Sequence, residues 1–184
     1  MKIQSMCLVV VALVTFSACK NEKKVEVPKE VITQVLEPNF IVEIEAKVSA
    51  KDDFAVYYTE DKSNEFDGTM AVWTGIDGGD KFQKVALHLP QEVVPTNIRI
   101  DFGINKDQKD ISVKNVTMLY QGMSFVIQGD KFFDYFIDTK EFPATVDPVN
   151  GTLEIKYEAG KFKTPYFYPT EKLLMEVQAI CYPQ

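Results

Sequence analysis

The chain has 184 residues, 20 Lys+Arg against 27 Asp+Glu for a formal net charge of -7, and 46% apolar residues. At about 150 residues per domain this leaves room for one folded unit and a short appendage. Arg99 is its single arginine and the balance is acidic, which argues against nucleic acid, because a phosphate backbone is met by clustered positive charge. Cys7, Cys19 and Cys181 show no paired spacing and His88 stands alone, so neither a disulfide scaffold, a structural zinc site nor His-based catalysis is expected.

The first residues read as a processing signal. Lys2 supplies positive charge, Cys7 to Phe16 (CLVVVALVTF) an apolar run, and Ser17 and Ala18 the small residues expected before a cleavage point. The run is too short for a spanning helix, which needs roughly 20 apolar residues. The tetrad Phe16-Ser17-Ala18-Cys19 resembles the lipobox of bacterial lipoproteins, with Phe16 where leucine is usual. The resemblance implies a signal peptide over 1–18, a diacylglyceryl group on the Cys19 thiol, and acylation of the new amine by a fatty acid such as palmitate. Two or more acyl chains hold a protein stably where one does not. A bacterial cell-envelope address follows, lipid-anchored in the outer membrane, with the bilayer as a partner through Cys19.

Residues 19–38 form the acylated cysteine and a tether. From Lys20 to Pro38 the chain is rich in Lys and Glu, has two prolines and lacks aromatic residues, so it buries too little to offset its ordering entropy. Within it, Glu30 to Leu36 fits either a short strand or a helical turn.

Residues 39–184 are expected to fold as one all-β domain, an antiparallel β-sandwich. Runs of four to eight residues alternate in polarity between Gly, Asp, Asn and Pro clusters, and no segment shows a helical period of useful length. Phe40 to Val48 places Val42, Ile44, Ala46 and Val48 on one face and Glu43, Glu45 and Lys47 on the other. Phe54, Val56 and Tyr58 face inward with Ala55 and Tyr57 opposite, and Asp61 to Gly68 is a loop. Met70 and Val72 point inward, Ala71 and Trp73 outward, ahead of a turn over Gly75 to Asp80.

Val85, Leu87 and Leu89 form the next inner face, ended by Pro90, with His88 outside. Ile98, Ile100 and Phe102 face inward and leave Arg99 and Asp101 opposite, before the loop Gly103 to Asp110. Ile111 to Tyr120 and Met123 to Gln128 make a hairpin around Gln121-Gly122. Further on, Asp130 to Phe136 suits a short helix, Gly151 to Tyr157 a strand, and Lys172 to Ile180 a final strand. A mature chain of this size buries roughly 70% of its unfolded surface, enough for two packed sheets.

The succession Phe40 to Val48, Asp53 to Thr59, Phe82 to Val85, Pro95 to Gly103 and Ile111 to Val116 resembles the jelly-roll modules of the carbohydrate-binding and galactose-binding-like class, over about residues 40 to 128. It is also similar to accessory domains of bacterial envelope glycosyltransferases. The resemblance implies a jelly-roll-like sandwich and a non-catalytic sugar-binding module.

Sugars offer CH faces to aromatic rings and hydroxyls to paired donors and acceptors. Tyr57, Trp73, Arg99 and Asp101 all fall opposite the inferred core and build such a face if their strands share a sheet. The plainer arrangement covers Trp73 with a loop or the tail and pairs Arg99 and Asp101 with neighbours. Asp77-Gly78-Gly79-Asp80 offers oxygen ligands of the kind calcium takes, but reads more simply as an Asp-Gly turn. Tyr166-Phe167-Tyr168-Pro169 is either a platform or a plug for the open end of the sandwich.

Glu43 and Glu45 share a strand face and invite comparison with the carboxylate pair of glycoside hydrolases, although a solvated acidic face accounts for them. No nucleophile elbow, phosphate loop, dinucleotide fingerprint or zinc helix is present. No cofactor and no metal are expected. Cys181 reads as an unpaired, buried thiol. The leading reading is a non-enzymatic envelope lipoprotein that binds a glycan or supports polysaccharide handling. The alternative is a structural or assembly lipoprotein that contacts a partner envelope protein by its acidic face or an edge strand.

Overall fold

The computed structural model describes residues 38–157 and 162–183. The signal-like segment, Cys19 and the tether up to residue 37 lie outside the described residues.

Among the described residues ten strands and two helices follow one another: β1 Ile41–Val48, β2 Asp52–Thr59, β3 Ala71–Ile76, β4 Gln83–His88, β5 Asn97–Phe102, β6 Ile111–Tyr120, β7 Met123–Gln128, a 3-10 turn Gly129–Lys131 running into α1 Phe132–Tyr135, β8 Ala144–Asp147, β9 Thr152–Ile155, β10 Tyr166–Phe167 and α2 Glu171–Cys181. One sheet has the order β4-β1-β6-β9-β8 with β7 also beside β6; the other has the order β10-β5-β2-β3. Every pairing is antiparallel. The chain crosses between the sheets after β1, β3, β4, β5 and β9, so each inner face is assembled from segments distant in sequence. This is the all-β sandwich that the alternating pattern requires.

The core lies between the sheets. Val42, Ile44, Ala46 and Val48 of β1 meet Phe54, Val56, Ile98, Ile100 and Phe102 of the other sheet, all buried. Phe132 fills one end of this layer, stacked on Phe136 with centroids 4.5 Å apart and edge-on to Phe102 and Phe167. Burying such side chains contributes about 1.5–3 kcal/mol each. The β6–β7 hairpin closes at Gln121 and Gly122 with φ of 47° and 83°, the left-handed pair that lets a tight turn follow the strand twist.

β6 contains a bulge. Its register with β1 slips between Glu45 and Ala46, opposite Asn115 and Val113, so Lys114 is the extra residue. The slip lets Val113 and Val116 both face the core, and it sets Lys114 and Asn115 side by side on the outer face, where both bond Glu45.

Three expectations need correction. Lys172 to Ile180 is helical, within α2, because Leu173, Val177, Ile180 and Cys181 recur at helical spacing and are the residues buried. Thr170 caps this helix by accepting the Leu173 N–H at 3.4 Å. Met70 is 44% exposed rather than inside, since it sits just ahead of β3, where its N–H closes a turn on the Asp67 carbonyl. β3 itself continues through Gly75 to a buried Ile76, so the turn begins two residues later than the sequence suggests. Among the described residues no helix is long and apolar enough to cross a membrane.

Candidate functional site

The four residues singled out from the sequence meet on the outer face of the β10-β5-β2-β3 sheet. Ala55 on β2 lies opposite Trp73 on β3 and Asp101 on β5, while Tyr57 lies opposite Arg99. Because alternate residues of a strand share a face, Tyr57, Trp73, Arg99 and Asp101 form a continuous patch. Ala55 is its floor: a methyl group, fully buried beneath larger neighbours.

Trp73 is 48% exposed, so among the described residues neither a loop nor the tail covers it. Its ring stands edge-on to Tyr57, with centroids 6.1 Å apart and planes at 74°. The Arg99 guanidinium lies 4.1 Å from the Tyr57 centroid, a cation–π contact that fixes the tyrosine from behind. Arg99 Nε and Nη2 donate to Asp101 Oδ1 and Oδ2, both at 2.8 Å, a bidentate ion pair. The pairing with neighbours anticipated for Arg99 and Asp101 is therefore a pairing with each other.

Three further aromatic residues complete the enclosure: Phe66, which sequence reasoning missed, and Tyr166 and Tyr168, which it flagged as a platform or plug without assigning them to this face. Phe66, Tyr166 and Tyr168 surround the guanidinium with centroids 5.7, 5.2 and 5.8 Å from Arg99 Cζ. The signal was present in Tyr166-Phe167-Tyr168, where period-2 spacing sends both tyrosines to one face and Phe167 to the other. Phe167 is fully buried, so this stretch plugs the core and walls the outer patch at once.

Burial sets the electrostatics. It pushes the Asp101 carboxyl above its usual range, outweighing the hydrogen bonds and attraction of Arg99. Burial also raises the Tyr57 hydroxyl, reinforced by Asp101 and opposed by Arg99. The buried ion pair thus acts as a brace for the patch. Toward solvent, Gly75 follows Trp73 on the same face and lies opposite Asp53, whose Oδ1 is 3.5 Å from where a Cβ on Gly75 would sit. With no side chain at 75, one flank of the indole ring stays open beside a carboxylate.

The remaining candidates resolve into structural roles. Glu43 faces Lys84 at 3.8 Å. Glu45 is bonded by Lys114 at 2.9 Å and Asn115 at 2.8 Å. The Lys114 hydrogen bond holds the Glu45 carboxyl below its usual range against a slight burial penalty, the opposite of what a general acid needs. In the Asp77–Asp80 turn, a Cβ on Gly78 would lie 2.7 Å from Ala50 Cα, and the Gly79 N–H donates to the Val48 carbonyl at 2.8 Å. Gly78 thus serves close packing, and among the described residues no group of three or more His, Cys, Asp or Glu is placed to hold a metal. Cys181 is buried and unpaired, its thiol pushed up to about 11 by burial.

No protein-family model, curated protein or solved structure matches this chain.

Proposed function

We propose that this chain is a non-catalytic lipoprotein of the bacterial cell envelope, anchored in the outer membrane through acylated Cys19, whose sandwich binds a glycan on the outer face of the β10-β5-β2-β3 sheet. The observation that carries the reading is the half-exposed Trp73 ring on a strand, braced by Tyr57, Arg99 and Asp101. A ring held this way stacks on a sugar CH face without losing side-chain freedom on binding, and Asp53 stands beside it to accept sugar hydroxyls.

On a glycan array the wild-type protein is expected to select polysaccharides, and Trp73→Ala to lose them by about tenfold or more, in line with one aromatic anchor. The exposure of Met70 and Trp73 beside the edge strand β3 favours the rival reading, a partner protein. If no polysaccharide binds and crosslinking in cells instead captures one envelope protein, that rival replaces the glycan. For the anchor, Cys19→Ala is expected to move the protein from the membrane to the soluble fraction; unchanged fractionation contradicts lipidation.

A further inference from the structure

The opposite sheet carries a second lane of side chains, separate from the Trp73 patch. Lys47 on β1 lies opposite Ser112 on β6, which lies opposite Glu154 on β9. Carrying the β1–β4 register one residue beyond Ala46 and Gln83 sets Phe82 beside Lys47. One row thus crosses four strands as Phe82, Lys47, Ser112 and Glu154, all on the outer face. The bulge adds Lys114 from β6, and Thr152 stands two residues from Glu154 on β9. Together with Asn150 these residues line a groove of about 470 Å³.

The chemistry of the groove is graded. At one end the Phe82 ring is 37% exposed, with Lys47 Nζ 5.5 Å and Lys114 Nζ 6.0 Å from its centroid. Lys114 is already paired with Glu45, whereas no ion pair engages Lys47 among the described residues. At the other end Ser112 and Thr152, 7% and 3% exposed, donate their hydroxyls to the two oxygens of Glu154 at 2.7 and 2.8 Å. Each hydroxyl has then used its one proton and presents lone pairs. Lys156 faces Glu154 at 3.9 Å. The groove therefore offers an apolar ring and an uncompensated cation at one end, and a fixed set of hydrogen-bond acceptors at the other.

We infer that this groove binds an acidic sugar, a uronate unit within a polysaccharide, with its carboxylate at Lys47, its CH face on Phe82 and its hydroxyls donating to Ser112, Thr152 and Glu154. A neutral sugar leaves Lys47 uncompensated, and a small inorganic anion uses neither the ring nor the acceptors. The inference stands whether or not the Trp73 patch binds a glycan.

The test is calorimetric titration of the full chain in detergent with short oligomers of galacturonate, guluronate and mannuronate, and with methyl-esterified galacturonate. At least one uronate oligomer is expected to bind, its ester about tenfold more weakly. Lys47→Gln and Phe82→Leu each weaken binding about tenfold, as loss of a charge-assisted contact or an aromatic contact does. Both variants should melt within a few degrees of the wild type, because Lys47 and Phe82 lie on the outer face. The inference is overturned if no uronate oligomer binds, if the ester binds as well as the acid, or if Lys47→Gln retains full affinity. It is also overturned if Trp73→Ala abolishes uronate binding, which would assign the acid to the other face and leave the Trp73 reading standing.

Discussion

Asp52→Ala lowers the unfolding free energy by about 3–5 kcal/mol, because it strips the acceptor from four donors at once. The Asp52 side chain is buried, and it accepts the backbone N–H groups of Asp53 at 2.9 Å, Ile104 at 2.7 Å and Asn105 at 2.9 Å, with Gln108 Nε2 at 2.8 Å. Gln108 in turn accepts from the Ser49 and Ala50 N–H groups through Oε1, both at 3.0 Å, so one carboxylate ties the β1–β2 turn to the Gly103–Asp110 loop. Gly103, at φ 80°, is required beside it: a Cβ there would lie 2.5 Å from Asp52 Oδ2 and 3.0 Å from the Tyr157 hydroxyl. Tyr157 closes the cluster by donating to the Phe102 carbonyl at 3.1 Å, and burial, with Asp52 nearby, pushes its phenol far above the usual range. Urea titration checks the prediction: the midpoint falls while the slope stays near the wild-type value. Asp52→Asn keeps one acceptor but turns an amide toward the Gln108 amide, so it falls between alanine and wild type.

Gly129→Ala is expected to cost about 3 kcal/mol or more, because the added methyl meets backbone that cannot swing away. A Cβ at 129 would overlap the Val113 carbonyl oxygen and sit 2.7 Å from Leu153 N and 2.8 Å from Thr152 Cα. This is where one edge of β6 changes partner. Asn115 to Tyr120 pair with β7, Ile111 to Val113 pair with β9, and Gly129 lies in the step between them. At roughly 2–4 °C per kcal/mol for a domain of this size, the melting temperature drops by about 6–12 °C, and amide exchange accelerates first in β9. Gly68→Ala, with nothing within 4 Å of its Cβ position, should leave the melting temperature unchanged.

These two clusters mark what the sequence did and did not disclose. β1, β2, β5 and the β6–β7 hairpin were legible because each is long enough to show period-2 alternation, half in the core and half outside. α2 was not. Its exposed Met175 and part-buried Leu174 blur the buried series Leu173, Val177, Ile180 and Cys181, and the alternate residues from Leu174 to Ile180 imitate a poor strand. β8 and β10 are too short to carry a pattern of their own. The bulge at Lys114 depends on a slip against β1, roughly 70 residues away in sequence, and no local signal reports it.

The same distinction applies to the Trp73 patch. That Tyr57, Trp73, Arg99 and Asp101 share a face follows from parity within each strand, so it was readable. That β2 sits between β3 and β5 is a long-range pairing, and only that pairing brings Arg99 onto Tyr57. Phe66 and Tyr168 come from irregular segments, where position along the chain says little about position in space. Asp52 gave no signal of its own, since one carboxylate among many acidic residues is distinguished only by being enclosed.

Trp73 is the chain's single tryptophan, so intrinsic fluorescence reports on that ring alone. Titrating the protein with bacterial envelope and plant cell-wall polysaccharides, neutral and acidic, should produce a saturable shift or quenching of its emission for at least one polymer, because a stacked sugar displaces water from the indole. An emission spectrum that stays fixed through saturating concentrations of every polymer, while the protein remains folded, would contradict glycan binding at this face.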